Sequence, residues 1–297
     1  MAEYKWRVPQ PVLPAINAAT RLCAVLGLPI AHSASPAMHN AAFAALGLNW
    51  RYLAFEVRPD DLRAAIAGAK AMQFSGLNLT VPHKLLAVEM MDALDESAEK
   101  WGAVNTIRFD NARAIGFNTD ADAIVTALRE DLKLELEGAK VLLLGAGGAG
   151  QTAAFKLAAE NVAELSLVNR TQNRAESMAN EIKKRFPDVR VSVGYPKYAV
   201  DLVMNATSLG LKKDDGSPLD EKQFSLKQTR AVLDMIYRPA ETALLKSAKA
   251  AGCRTANGLG MLLHQGATAF EIWTGQPAPI AVMRRALEQT IYGHDRK

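Results

Sequence analysis

The stretch that decides the fold is "AKVLLLGAGGAGQTAAFKLAAEN", residues 139–161. Val141–Leu144 is apolar at every position, the pattern of a strand buried on both faces of a parallel sheet. Gly145, Gly147 and Gly150 follow in the order G-x-G-x-x-G, and a helical pattern opens within them. Strand, glycine turn and helix in that order are what a dinucleotide site requires. Gly145 permits the tight turn. Gly147 lets the backbone approach a pyrophosphate at the helix N-terminus, where amide donors and the dipole favour anions. Gly150 allows close packing of helix on strand, and Ala146, Gly148 and Ala149 complete the cofactor loop.

The end of the next strand, "LSLVNR" (165–170), selects the cofactor. An enzyme for NAD usually offers Asp or Glu there to the ribose hydroxyls. This chain places Asn169, Arg170 and Thr171 there, with Arg174 beyond. A carboxylate would repel a 2′-phosphate, whereas a guanidinium gives it charge-assisted bonds and can stack on adenine. The expected cofactor is therefore NADP. For Arg174 a solvated helix residue is the competing reading.

Working outward, "VRVSVG" (189–194), "DLVMNAT" (201–207) and "AVLDMIY" (231–237) supply further strands. The polar segment between Leu209 and Lys227, with "KKDDGSP", reads as a loop with one helical turn. Helices are expected from Leu259 to Thr274 and from Ile280 to about Tyr292. Upstream lies another α/β cycle: strands at 22–27, 51–57, 76–81 and 103–109, a helix at 35–48 with Ser35 as N-cap and Pro36 in its first turn, another from Pro59, and helices after Lys84 and Asp95. A helix over 119–131 then leads into the glycine turn. The alternation predicts two tandem α/β units with parallel-rich sheets, joined near residues 110–122.

The chain has 297 residues, 49% of them hydrophobic and 22% charged, and a net charge of +4. The charge is too weak and too dispersed for nucleic acid. The two cysteines, Cys23 and Cys253, and the five histidines lack metal-ligand spacing, so no metal is expected. Residues 1–20 hold three prolines and no apolar run, which reads as an extended arm rather than a signal peptide or membrane span. Free thiols and that arm point to the cytoplasm.

The first cycle puts polar groups where a core would not want them. Ser33 and Ser35 follow the first strand, Asn78 and Thr80 interrupt "GLNLTVPHK" (76–84) ahead of Lys84, Asn105 sits in "GAVNT", and Asp120 opens a helix. All lie near strand ends, where open α/β sheets bind ligands. Hydroxyls, amides and one carboxylate there would suit a small polyol. Helix capping and turn hydrogen bonds are the alternative reading of each residue alone.

"GLPIAHSASPAMHN", "GLNLTVPHK", "GAVNTI", "NTDADA", "GAGGAG", "NRTQNRA", "NATSLG", "DMIYRP" and "NGLGMLLHQGATAFEIWTG" run in that order from Leu22 to about Thr290. Together they resemble the shikimate dehydrogenase family. The resemblance implies reduction of 3-dehydroshikimate to shikimate with NADPH in aromatic amino acid biosynthesis. It implies a substrate-binding domain (1–120 and 258–297), with the C-terminal helices returning to it, and a Rossmann NADP-binding domain (121–257) across a cleft. Carried over, Ser33 and Ser35 bind the substrate carboxylate with Tyr237; Asn78, Thr80, Asn105, Asp120 and Gln265 bind ring hydroxyls. Lys84 and Asp120 are the catalytic pair. Ala206 and Thr207 join the cofactor residues, and Gly258 and Met261 border the nicotinamide. Met261 and Gln265 are also four apart, hence on one helix face.

A lysine ammonium can donate a proton to the oxygen of a ketone as hydride arrives. Free lysine titrates near ~10.4, too high for an efficient base at neutral pH; desolvation would lower it and Asp120 would raise it. Three departures from the family pattern stand out: Ala121 where glycine is common, Asn257 where an acid is frequent, and the long N-terminal arm. Quinate use with relaxed cofactor choice is the nearest alternative, though Ser35 favours shikimate. A non-catalytic NADP- or shikimate-responsive binding protein is the more distant one, and it would be expected to lose Lys84 and Asp120. Monomer and homodimer are both compatible.

Overall fold

Short apolar runs and amphipathic helices must cover each other's apolar faces, so the chain builds sheets with helices laid on them. A computed structural model describes residues 13–212 and 214–293. Residues 1–12 of the expected arm and Lys213 of the expected loop lie outside the described residues. The chain divides into two units, Met1–Asn118 with Gly266–Lys297, and Thr119–Gln265.

The first unit runs β1 (Arg21–Gly27), α1 (Ser35–Ala45), β2 (Trp50–Glu56), α2 (Leu62–Ala71), β3 (Gly76–Leu79), β4 (Ala93–Leu94), α3 (Glu96–Trp101), β5 (Thr106–Asp110) and β6 (Arg113–Phe117). Its sheet has the order β2-β1-β3-β5-β6-β4. β1 lies parallel to β2 and β3, while β5 runs antiparallel to both β3 and β6. β4 lies parallel to β6, so the sheet is parallel-rich as expected, with β5 as the one strand that runs against its neighbours. The hairpin went unmarked because its turn is Asn111–Ala112, both at positive φ, where Asn-Gly would have been the recognisable signal. Three expectations are corrected. The segment after Lys84 holds turns and one 3-10 turn at Val88–Met90 instead of a helix. Asn105 precedes β5 instead of lying within it. Ala34, not Ser35, occupies the N-cap of α1.

The second unit continues α4 (Asp120–Leu132), β7 (Lys140–Leu144), α5 (Gly148–Ala159), β8 (Glu164–Val168), α6 (Gln172–Arg185), β9 (Arg190–Val193), β10 (Val200–Asn205), β11 (Thr229–Asp234), α7 (Ala243–Ala250) and β12 (Arg254–Asn257). The order β12-β11-β10-β7-β8-β9 is parallel throughout. β7 has β8 on one side and β10 on the other, so strand order reverses beside the glycine turn, at the switch point where such sheets bind ligands. α7 and β12 extend the sheet where the sequence pattern marked no element. The core joins Leu142 and Leu144 to Val203, Val232, Leu244 and Leu245.

The boundary between units falls inside α8 (Leu259–Thr274), and α9 (Ile280–Tyr292) follows. Within the first unit α9 packs on α1, and Trp273 Nε1 donates to the Ile107 carbonyl at 2.9 Å. No described helix is long and apolar enough to cross a membrane.

Gly76 is what admits the indole. A Cβ there would collide with Trp273 Nε1 and the Ile107 carbonyl oxygen. Overpacking of this kind costs about 1–3 kcal/mol, and the displaced indole bond adds about 1 kcal/mol. Gly76→Ala should therefore lower stability by about 3 kcal/mol in urea unfolding, whereas the control Gly68→Ala, at an open position inside α2, should raise it by about 0.5–1 kcal/mol.

Candidate functional site

In the first unit the site is built at the carboxyl ends of β1, β2 and β3, and backbone bonds tie those ends together. Leu28 N donates to Val81 O at 3.0 Å, Val57 N to Gly27 O at 3.1 Å, and Thr80 N to Leu26 O at 3.0 Å. Gly27 has no room for a side chain, because a Cβ would run into the Thr80 methyl. His83, fully buried, bonds the Val57 carbonyl through Nε2 at 2.9 Å. Burial lowers its proton affinity, with the Val57 carbonyl opposing, so the ring tends to stay neutral. Val104 N holds the Lys84 carbonyl at 2.9 Å. The lysine backbone is thus pinned from two directions while its side chain is half-buried.

Asn78, Tyr52, Asn105 and Thr106 form a buried polar network. The Asn78 Oδ1 accepts from the Tyr52 hydroxyl at 2.6 Å. Its Nδ2 donates to Asn105 O at 3.2 Å and Thr106 Oγ1 at 3.0 Å. Thr106 Oγ1 donates on to Asn105 Oδ1 at 3.2 Å. Both N–H bonds of Asn78 are therefore spent inside the protein, and its amide sets where Asn105 stands. Tyr52 and Thr106 were not singled out from the sequence. Tyr52 reads as an ordinary strand aromatic there, since its partner is 26 residues away in the chain.

Ser33 Oγ accepts from Ser35 N at 3.3 Å, a serine turn that presents the start of α1. The Ser33 hydroxyl proton remains to be donated, and the buried Ser35 hydroxyl has no partner among the described residues.

The second unit supplies the glycine turn. Gly145 adopts φ +108°, and a Cβ on Gly150 would strike the Gly145 carbonyl. These two glycines are required by the fold. Gly147 and Gly148 are not: a Cβ on either would meet nothing within 4 Å. Both stand at the α5 N-terminus, where unpaired backbone N–H groups of a helix suit an anion. Asn169 locks the turn, its Oδ1 accepting from Ala146 N at 3.0 Å and its Nδ2 donating to Thr171 O at 2.8 Å. Arg170 and Arg174 are exposed at the β8 end and the first turn of α6, free to meet a 2′-phosphate. The chain therefore fits NADP.

Ala206 and Thr207 stand beside the turn. Ala206 N bonds Leu144 O at 2.8 Å, and Asn205 Oδ1 accepts from Thr207 N and Oγ1 at 2.9 and 2.7 Å. Tyr237 is half-buried, and burial raises its phenol above the ordinary range, with Arg238 opposing. It is a neutral O–H donor at physiological pH. Asp120 is buried as the first residue of α4, and Ala121 packs fully behind it. On α8, Met261 and Gln265 are half-buried, and Gln265 Nε2 bonds Leu262 O at 2.8 Å. Gly258 is pressed against the Met235 backbone, where a Cβ could not fit. The Asn257 departure has a physical reason. Its Oδ1 accepts from Leu259 N at 3.0 Å while its Nδ2 donates to Ala240 O at 2.9 Å, a second bond that an aspartate could not make.

Residues 25–107 match the model of the shikimate dehydrogenase substrate binding domain, residues 127–208 that of shikimate / quinate 5-dehydrogenase, and residues 258–288 that of the shikimate 5′-dehydrogenase C-terminal domain. A shikimate dehydrogenase (NADP(+)) of Methanopyrus kandleri is 42% identical over 279 residues, covering 92% of this chain and 96% of that one. The crystal structure of a shikimate dehydrogenase in complex with NADP+ matches with a TM-score of 0.86 at 39% identity, over 95% of this chain and 99% of that one. The ligand-free 5-ketofructose reductase of Gluconobacter sp. strain CHM43 matches with a TM-score of 0.83 at 34% identity, over 92% and 99%. Identity at this level across nearly the whole of both chains settles the kinship: this chain belongs to the shikimate dehydrogenase family.

Proposed function

We propose that this protein interconverts 3-dehydroshikimate and shikimate with NADP, as a step of aromatic amino acid biosynthesis. The observation that carries the reading is Lys84, an ammonium delivered on a pinned backbone to a strand end otherwise made of amides and hydroxyls. The first unit binds the substrate and the second binds the cofactor. NADPH, when bound, supplies the hydride.

The residues of the chain do the rest. Lys84 donates a proton to the substrate oxygen as negative charge develops on it, and takes the proton back in the oxidative direction. Asp120 orients Lys84 and a ring hydroxyl. Ser33, Ser35 and Tyr237 donate to the substrate carboxylate, three O–H groups that carry no charge of their own to be neutralised. Thr80, Asn105 and Gln265 bind ring hydroxyls, and Asn78 sets the angle of Asn105. Gly147 and Gly148 leave space for the pyrophosphate at the α5 N-terminus, and Arg170 and Arg174 pair with the 2′-phosphate. Gly258 and Met261 border the nicotinamide.

Quinate is the second reading, favoured by the shikimate / quinate model that matches residues 127–208. The smaller and less oxygenated shikimate ring is the better match to a chain that keeps Ser35 in the carboxylate turn.

Crossing shikimate and quinate against NADP and NAD, and following the nicotinamide absorbance, should give the highest kcat/KM for shikimate with NADP. A quinate–NAD optimum would overturn both choices, and silence in all four combinations would make the protein a binding module. Lys84→Ala should lower kcat by roughly 10²–10⁴-fold with KM for shikimate changed only a few-fold; wild-type turnover at neutral pH would remove Lys84 from the reaction. Arg170→Ala should raise KM for NADPH about tenfold, as expected for one lost charge-assisted bond, and leave KM for NADH unchanged.

A further inference from the structure

Asp234, the last residue of β11, is fully buried and has no cation beside it among the described residues. A lone interior carboxylate is costly unless donors surround it. Here three do. Asn205 Nδ2 and Ile236 N donate to its Oδ1 at 2.9 and 3.0 Å, and the Thr242 hydroxyl donates to its Oδ2 at 2.6 Å. The donors come from three separate segments. Asn205 ends β10, Ile236 lies in the loop after β11, and Thr242 caps α7 by accepting from Leu245 N at 3.3 Å.

Two of these segments lead to residues of the site. Asn205, held by Asp234, uses its own Oδ1 to fix Thr207 and its Nδ2 to bond Leu209 O at 3.2 Å. Met235 N returns to Asn205 O at 2.9 Å, which locks the two loops to each other. Ile236 is followed by Tyr237, and Ile236 O accepts from Gly258 N at 3.2 Å at the start of α8. We propose that Asp234 is a positioning residue for the reaction: its carboxylate aligns the Ala206–Thr207 loop with the Tyr237 and Gly258 segments, and so sets affinity for both cofactor and substrate. This rests on the reaction proposed above.

Burial raises the proton affinity of this carboxylate, and the Thr242, Ile236 and Asn205 donors oppose the rise. The competition marks a group retained inside at a cost, where an asparagine of equal size would carry no charge. Asn in its place keeps one oxygen acceptor and almost the same volume, but turns an N–H group toward one set of donors. One of the three segments is then released while the sheet stays intact.

The test compares wild type with Asp234→Asn, and measures KM for shikimate and NADP, kcat, and the NADPH dissociation constant by nicotinamide fluorescence. Expected are KM values for both ligands and a dissociation constant raised about tenfold, with kcat at saturation within about twofold. A purely structural role would lower the fraction of active enzyme, hence apparent kcat, and leave both KM values and the dissociation constant where they were; that result overturns the proposal. If Asp234→Asn does not fold, Thr242→Val removes the Oδ2 partner together with the α7 cap and should raise the same constants, with Thr242→Ser restoring them; unchanged constants in Thr242→Val would likewise overturn it. The fluorescence arm needs no turnover, so a wild type inactive on shikimate would refute the reaction while the NADPH constant still decides the role of Asp234.

Discussion

The structure depends on amide side chains, those of Asn78 and Asn205 buried and that of Asn169 half-buried, that stitch neighbouring strand ends together. Asn78 does this in the first unit, taking a hydroxyl from Tyr52 and donating to Asn105 and Thr106. Asn169 and Asn205 do it in the second, one between β8 and the glycine turn, the other between the loops after β10 and β11. An amide offers an acceptor and two donors in one rigid plane, so each can face two chain segments at once. Leaving one unpaired would cost about 1–3 kcal/mol, and that penalty keeps the loops in a single arrangement. A site made of loop residues acquires a rigid frame in this way.

Charge is distributed with the same economy. Behind the first unit's site the buried histidines tend to neutrality. His39, enclosed by Tyr52, Phe43 and Trp273, is pushed by burial down to about 3. It packs as a flat plate 4.3 Å from the Tyr52 ring, with neither ring nitrogen hydrogen-bonded among the described residues. In the second unit the fully buried carboxylate of Asp234 is surrounded by neutral donors, while the arginines suited to a phosphate stay at the surface. Asp234 thus holds geometry from inside, and the arginines carry charge at the surface.

Much of this was legible in the chain itself. The apolar run before Gly145 and the glycine spacing identified the second unit, because both follow from local rules of burial and turn geometry. Ser33, Asn78, Thr80, Lys84 and Asn105 stood out as polar residues at apolar strand ends, and all lie at one edge of the first sheet. The β5–β6 hairpin did not stand out, since alanine at positive φ leaves no turn signature. Tyr52 and Asp234 were passed over for a different reason. Each looks ordinary within its own segment, and each matters only through partners brought in from elsewhere, 26 residues away for Tyr52 and 29 for the Asn205–Asp234 pair.

The sequence by itself determined the α/β alternation, the dinucleotide turn, the arginines in place of an acid after β8, and the polar character of the strand ends. Periodicity, glycine spacing and charge are local properties that need no knowledge of distant neighbours. Only the tertiary structure decided which amide faces which loop, that Gly147 is open while Gly150 is crowded, and that Asn78 turns both N–H groups inward. Those outcomes depend on which strands lie side by side. Hydrogen-bond pairing in the interior is a condition on the whole fold at once, and no single segment of the chain carries it.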